Sequence, residues 1–198
     1  MAERVLGNLS KGKVFVLSAP AGTGKTTLVR MLREEFPVIT ESISCTTRPP
    51  RAGELAGEDY HFLTDQEFKE RIKSGDFLEH AEVFGYHYGT SKAFVVKQQE
   101  AGRHVFLVID TQGAMQLKKR KFEAIYIFIS PPSLDELKTR LINRKTEDEE
   151  SMKRRLSWAE EELKQAVNYD YHIVNQNLNI AYDILRSIVI AEEHRITK

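Results

Sequence analysis

The sequence predicts an α/β fold: a parallel sheet core flanked by helices and interrupted once by a small β-rich insertion. Three observations carry this. Short apolar runs, Val14–Leu17, Val105–Ile109, Ile125–Ile129 and His172–Val174, alternate with helical patterns from end to end. Runs that stay apolar without alternating suit strands buried on both faces, which is how parallel sheets with helical crossovers are covered. Capping-box spacings at Thr64-x-x-Glu67, Ser133-x-x-Glu136 and Thr146-x-x-Glu149 mark helix starts between them.

Taken in order, the strand Val14–Leu17 leads into a helix over 26–35. The stretch 38–90 breaks the rhythm with β-like pieces near Ile39–Ser44, Tyr60–Phe62, Glu79–Val83 and Tyr86–Tyr88, and reads as an insertion. Helices over 92–101 and 112–120 then bracket the strand Val105–Ile109. After Ile125–Ile129 come the helices opened by Ser133 and Thr146, the strand His172–Val174 and a last helix over 178–193. The expectation is a single domain over 11–191. Its core pieces are 11–37, 91–132 and 156–191, with the insertion over 38–90 and a further helical segment over about 133–155. An insertion of this size in an open α/β sheet is a natural place to hold a second substrate.

Composition narrows the function classes. The 198 residues, 41% apolar and 29% charged, are enough for one domain with a real core. Lys+Arg and Asp+Glu both total 29, so no basic excess announces nucleic acid or a membrane surface, and any anion site must be a local cluster. The one cysteine, Cys45, excludes an internal disulfide and a multi-cysteine zinc site, and reads as a packed residue. The six histidines, at 61, 80, 87, 104, 172 and 194, show no metal-ligand spacing. The N-terminal residues contain no apolar targeting region and no run approaches the ~20 residues that span a bilayer, so a cytoplasmic protein is expected.

The sharpest motif follows the first strand. Ala19-Pro20-Ala21-Gly22-Thr23-Gly24-Lys25-Thr26 leads straight into a helical run, the Walker A arrangement with Ala in place of the first Gly. An ordinary Gly-rich turn does not need Lys-Thr in these places. Small residues let backbone N–H groups converge on phosphate oxygens at the positive end of the helix. Lys25 then reaches the β/γ oxygens and the Thr26 hydroxyl sits on Mg2+. The expected core is therefore of the P-loop NTPase type. Ala19 is tolerable provided its backbone does not need a positive φ.

Arg48-Pro49-Pro50-Arg51 is the second anion-binding candidate. A proline pair favours polyproline II, whose three-residue turn aims Arg48 and Arg51 the same way, although a rigid polar linker would read alike. From here the sequence resembles the guanylate kinases. Ser42-Ile43-Ser44-Cys45-Thr46-Thr47-Arg48-Pro49-Pro50-Arg51, Gly57-x-Asp59-Tyr60-His61-Phe62, Phe77-Leu78-Glu79-x-Ala81-Glu82-Val83, Tyr88-Gly89-Thr90-Ser91, Ile109-Asp110-x-Gln112-Gly113 and Ile173-Val174-Asn175 match the family in order over roughly 12–191.

The resemblance implies an ATP:GMP phosphotransferase, ATP + GMP ⇌ ADP + GDP, with dGMP expected as well, Mg2+ required, and a place in purine nucleotide metabolism and GMP recycling. It implies a GMP-binding insertion and a helical lid. Arg48, Arg51 and Tyr60 would hold the GMP phosphate, Tyr88 would close its side, and Ser44, Glu79, Thr90 and Asp110 would surround guanine. Residues 19–26 would hold ATP, with Asn175 against the adenine. Arg140, Arg144 and Arg155 would line the lid and, with Lys25, act on the transferring phosphoryl group. Asp110 would also support Mg2+ through water. Family members commonly carry a second acid two positions before it, where this chain has Val108.

The chemistry of the residues agrees with this. Guanine offers N1–H and N2–H2 donors beside the O6 acceptor, which carboxylates and a hydroxyl complement, whereas adenine would leave a buried carboxylate unpaired. Two rivals belong to other classes: a guanylate-kinase-like interaction module, which usually lacks the phosphate loop, and a kinase of phosphorylated sugars, which should lack the guanine-reading set. ATP and GMP are the expected partners, with no nucleic acid, membrane or obligate protein partner.

Overall fold

The computed structural model describes residues 4–142 and 149–196. Five strands form a wholly parallel sheet in the order β2 (Ile39–Glu41), β7 (His104–Val108), β1 (Val14–Ser18), β8 (Ile125–Ser130), β9 (Tyr171–Val174). The residues of β1 alternate between two cores. Phe15 and Leu17 join Leu28, Val29 and Leu32 of α1 (Lys25–Glu35) and Ala181, Leu185 and Val189 of α7 (Leu178–Glu193). Val14 and Val16 face the opposite side, with Val95 of α3 (Lys92–Glu100) and Ala114 and Leu117 of α4 (Thr111–Lys119). Burying each such side chain contributes about 1.5–3 kcal/mol, which is why an apolar run rather than an alternating one was needed.

A second sheet, in the order β4 (His61–Phe62), β3 (Cys45–Thr46), β6 (Tyr86–Ser91), β5 (Phe77–Val83), is built from the insertion. Its strand β3 runs parallel to β4 and antiparallel to β6, and β5 and β6 form a hairpin. Helix α2 (Asp65–Ser74) closes one side with Phe68, and it opens with the expected capping box between Thr64 and Glu67. Cys45 is fully buried beside Phe68, and burial pushes its thiol pKa up. Helices α5 (Leu134–Ile142) and α6 (Glu149–Lys164) pack on each other through Leu137, Leu141 and Ala159.

Several boundaries differ from the expectation. Ile39–Glu41 is the edge strand of the core sheet, pairing with His104–Phe106, so the insertion starts after Glu41 rather than at 38. The compact unit also begins before residue 11. Leu6 is buried, and the Gly7 and Asn8 N–H groups donate to the carboxylate of Glu193 at 2.8 and 3.0 Å. Lys13 N–H donates to His104 Nδ1, leaving Nε2–H to donate to the same carboxylate at 2.6 Å. Strand β9 is an edge strand with only Ile173 buried. At Ser133 half of the box forms: its hydroxyl accepts Glu136 N–H, while the Glu136 side chain turns to Arg140. The Thr146 box spacing and Arg144 lie outside the described residues.

Candidate active site

The strand order reverses at β1, so the loop after β1 and the residue after β7 open onto one crevice at the carboxyl end of the sheet. A cavity of about 350 Å3 lies there, walled by the phosphate loop on one side and by the second sheet on the other. Gly22 and Gly24 hold φ of 90° and 93°, and Gly24 is the N-cap of α1, so both need the left-handed backbone that glycine adopts freely. Among the described residues only Phe84 and Lys121 have positive φ without being glycine. Ala19 therefore replaces the first glycine of the motif without strain. The Thr23 hydroxyl donates to Pro20 O at 2.8 Å and closes the loop on itself.

Lys25 Nζ donates to the carbonyl oxygens of Ala19 and Pro20, and Thr26 lines the cavity from the first turn of α1. Asp110 caps α4, accepting Gly113 N–H at 2.8 Å, and burial raises its pKa against that hydrogen bond and against Lys25. Two hard oxygen donors, the Thr26 hydroxyl and the Asp110 carboxylate, thus line one cavity beside a phosphate loop, a donor set suited to Mg2+.

Across the cavity Glu79 is 4% exposed, and its burial lifts the pKa to about 7 although the Thr90 hydroxyl donates to it at 2.6 Å. Gly113 makes room for it, since a Cβ there would collide with Glu79 Oε2. Ser44, Arg51, Tyr60 and Tyr88 join Glu79 on this wall. Tyr60 and Tyr88 meet edge to face at 6.0 Å. Arg155 and Trp158 of α6 also line the cavity.

Four expected site residues sit elsewhere than the sequence suggests. Arg48 does not line the cavity beside Arg51: its guanidinium pairs with both carboxylate oxygens of Glu54 at 2.8 and 2.9 Å, lies 5.2 Å from the Tyr60 ring and donates to the Tyr88 hydroxyl, so it stands behind those two rings. Thr90 is fully buried behind Glu79 and reaches the cavity only through it. Asn175 does not line the cavity; its side-chain amide donates to Thr23 O at 2.7 Å and so braces the phosphate loop. Arg140 donates to Glu136 at 2.9 Å and to Asn175 O at 3.1 Å, outside the cavity.

Among the lining residues outside the expected site, three carry chemistry of their own. Glu162 is buried, with its pKa raised to about 7 by desolvation; Thr111 N–H donates to it, and Lys25 and Asp110 lie nearby. The signal was its position seven residues after Arg155, which puts the two on one face of α6. Phe84 and Trp158 are the others.

A phosphate loop at the switch point, facing a second sheet that carries buried carboxylate and arginine side chains, defines a P-loop nucleotide-binding protein with a second ligand site across the cleft. The guanylate kinase family model matches residues 11–192. A guanylate kinase from Protochlamydia amoebophila (strain UWE25) is 57% identical over 97% of both chains. One from Clostridium perfringens (strain 13 / Type A) is 44% identical over 96% of this chain and 88% of its own. The crystal structure of guanylate kinase from Anaplasma phagocytophilum superimposes with a TM-score of 0.77 at 35% identity, covering 93% of this chain and 88% of that one. This chain belongs to the guanylate kinase family. Among the described residues no helix is long and apolar enough to cross a membrane.

Proposed function

We propose that the chain transfers the γ-phosphoryl group of ATP to the phosphate of GMP, giving ADP and GDP. The observation that carries this reading is the placement of a buried, Thr90-bonded Glu79 opposite Lys25 of the phosphate loop in one cavity. Guanine N1–H and N2–H2 donate to the ionised Glu79 carboxylate and to Asp110, and Ser44 completes the edge. An adenine ring would set its N1 acceptor against the same carboxylate. Deoxyguanosine monophosphate presents the same base and phosphate and is accepted too.

In this reading the loop Ala19 through Thr26 cradles the β- and γ-phosphates through its backbone N–H groups, Pro20 having none to give, and Lys25 leaves its loop carbonyls for phosphate oxygens. Arg51, with Arg48, Tyr60 and Tyr88, holds the GMP phosphate; Arg48 gives up part of its Glu54 pairing to reach it. A GMP phosphate oxygen attacks the γ-phosphorus as the bond to the ADP oxygen breaks in line. Arg155, with Arg144 and with Arg140 once it exchanges its Glu136 and Asn175 O contacts for phosphate oxygens, neutralises the charge spread over the transferring group, so catalysis is positioning plus electrostatics. Thr26 and, through water, Asp110 would hold Mg2+, which supplies charge neutralisation at the β/γ oxygens when bound. Asn175 supports the loop through Thr23 O rather than touching the base. The unit works as a single kinase domain, the 11–191 core together with the flanking residues from Leu6 to Glu193 that pack on it, whose second sheet carries GMP recognition and whose α5–α6 pair forms the lid. A coupled ADP-release assay with ATP and each nucleoside monophosphate tests this: turnover with GMP and dGMP, and little with AMP, CMP or UMP, is expected. Equal turnover with AMP would overturn the base assignment.

A further inference from the structure

The tip of the β5–β6 hairpin is built against its own local preference. Val83 pairs with Tyr86, so Phe84 and Gly85 form a two-residue loop, and their φ values of 52° and 80° are both positive, as a type I′ turn requires. The first position of such a turn favours Asn, Asp or Gly, and a bulky aromatic residue there is an outlier. Phe84 is also 48% exposed, so burial does not repay the conformation. What the ring does touch belongs to the lid. It lies 5.6 Å from the Trp158 ring at 50° and 5.6 Å beneath the Arg155 guanidinium. Arg155, Trp158 and Phe84 all line the nucleotide cavity. Arg155 and Trp158, three apart, share one face of α6.

We propose that Phe84 is a positioning residue for Arg155: the tip of the second sheet clasps helix α6 through its ring, so that Arg155 is held over the phosphate site only when the second sheet has come up to the lid. A strained conformation kept at a cleft, for a contact across that cleft, is the usual mark of a functional constraint. The cation–π contact sets the plane of the Arg155 guanidinium, and with it the directions in which its N–H groups donate. The Trp158 ring gives the tip a second surface to close on. The clasp couples the element that carries Glu79, Tyr88 and Thr90 to the one that carries Arg155; it is already formed before nucleotide binds, and filling the GMP site tightens it around the charge-neutralising arginine. It rests on the reading of Arg155 as a phosphoryl clamp.

The substitution Phe84→Asn separates this role from folding, because Asn-Gly is the favoured pair for the turn. The melting temperature should hold or rise, while kcat with GMP falls about five- to twentyfold and KM for ATP stays within about twofold. Trp158 is the only tryptophan, so its emission reports the contact directly. In Phe84→Asn it should shift to longer wavelength and lose the response to GMP that the wild type gives, and Phe84→Tyr should restore emission and kcat. Unchanged kcat and unchanged GMP response in Phe84→Asn overturn the proposal. So does a loss of kcat that tracks a lowered melting temperature. If the wild type transferred no phosphoryl group to GMP, the reading of function would fall. The nucleotide-free emission of wild type against Phe84→Asn would still decide whether the clasp exists.

Discussion

Replacing Glu79 by Gln keeps the size of the side chain and an acceptor for the Thr90 hydroxyl, but removes the charge. Burial lifts the Glu79 pKa from 4.5 to about 7, against the hydrogen bond from Thr90 and with a contribution from Asp110. Below pH 4.5 the carboxyl is protonated folded and unfolded, and nothing is lost. Between 4.5 and 7 the folded protein keeps a proton that the unfolded chain has released, so stability falls as pH rises through that window. Above 7 the wild type bears the full penalty, at most about 3 kcal/mol. Glu79→Gln should therefore melt roughly 3–9 °C higher than the wild type at pH 8, with the gap nearly closed at pH 5. The same change should weaken GMP by about 1.5–3 kcal/mol, since an amide N–H2 now faces guanine donors. It should lower the ratio of kcat/KM for GMP over AMP by about ten- to a hundredfold, with KM for ATP unchanged. Scanning calorimetry at the two pH values and steady-state kinetics read both effects. A melting gap independent of pH refutes the burial argument, and an unchanged GMP/AMP ratio refutes the role of Glu79 in reading the base.

Lys25→Met should lower kcat by the equivalent of about 3–5 kcal/mol while the GMP dissociation constant, measured by calorimetry, stays near that of the wild type. Arg51→Ala should weaken GMP by about 2–3 kcal/mol and leave ATP binding intact; ATP weakened with GMP untouched would mean the two sites are reversed. Asn175→Ala leaves the Thr23 carbonyl without its partner, so a loss of about 1–3 kcal/mol in stability together with a raised KM for ATP is expected. An unchanged KM for ATP there would show that the phosphate loop does not need this prop.

The centre of the parallel core was readable because β7, β1 and β8 each carry an unbroken apolar run and the crossovers carry their own helix signals. The phosphate loop was readable because its chemistry is local: consecutive residues, fixed spacing, a strand before and a helix after. The insertion was harder. Ile39–Glu41 is short and polar at its end, and only its pairing with His104–Phe106 across sixty-odd residues puts it in the core sheet. The Arg48–Glu54 pair, the turn of Asn175 beneath Thr23 and the burial of Thr90 behind Glu79 depend on side chains meeting in space, which no periodicity records. Glu162 was hidden in a run of three glutamates, where only the helix packing decides which one is buried.

Phosphorus NMR of a mixture of the protein with magnesium, ATP and GMP tests the phosphotransfer most directly. The signals of ADP and GDP should grow together, one for one, with no inorganic phosphate until GMP is exhausted, and AMP in place of GMP should leave ATP almost intact. Inorganic phosphate growing in place of GDP, or GMP remaining unchanged while ATP is consumed, would contradict transfer between two nucleotides held in one cavity.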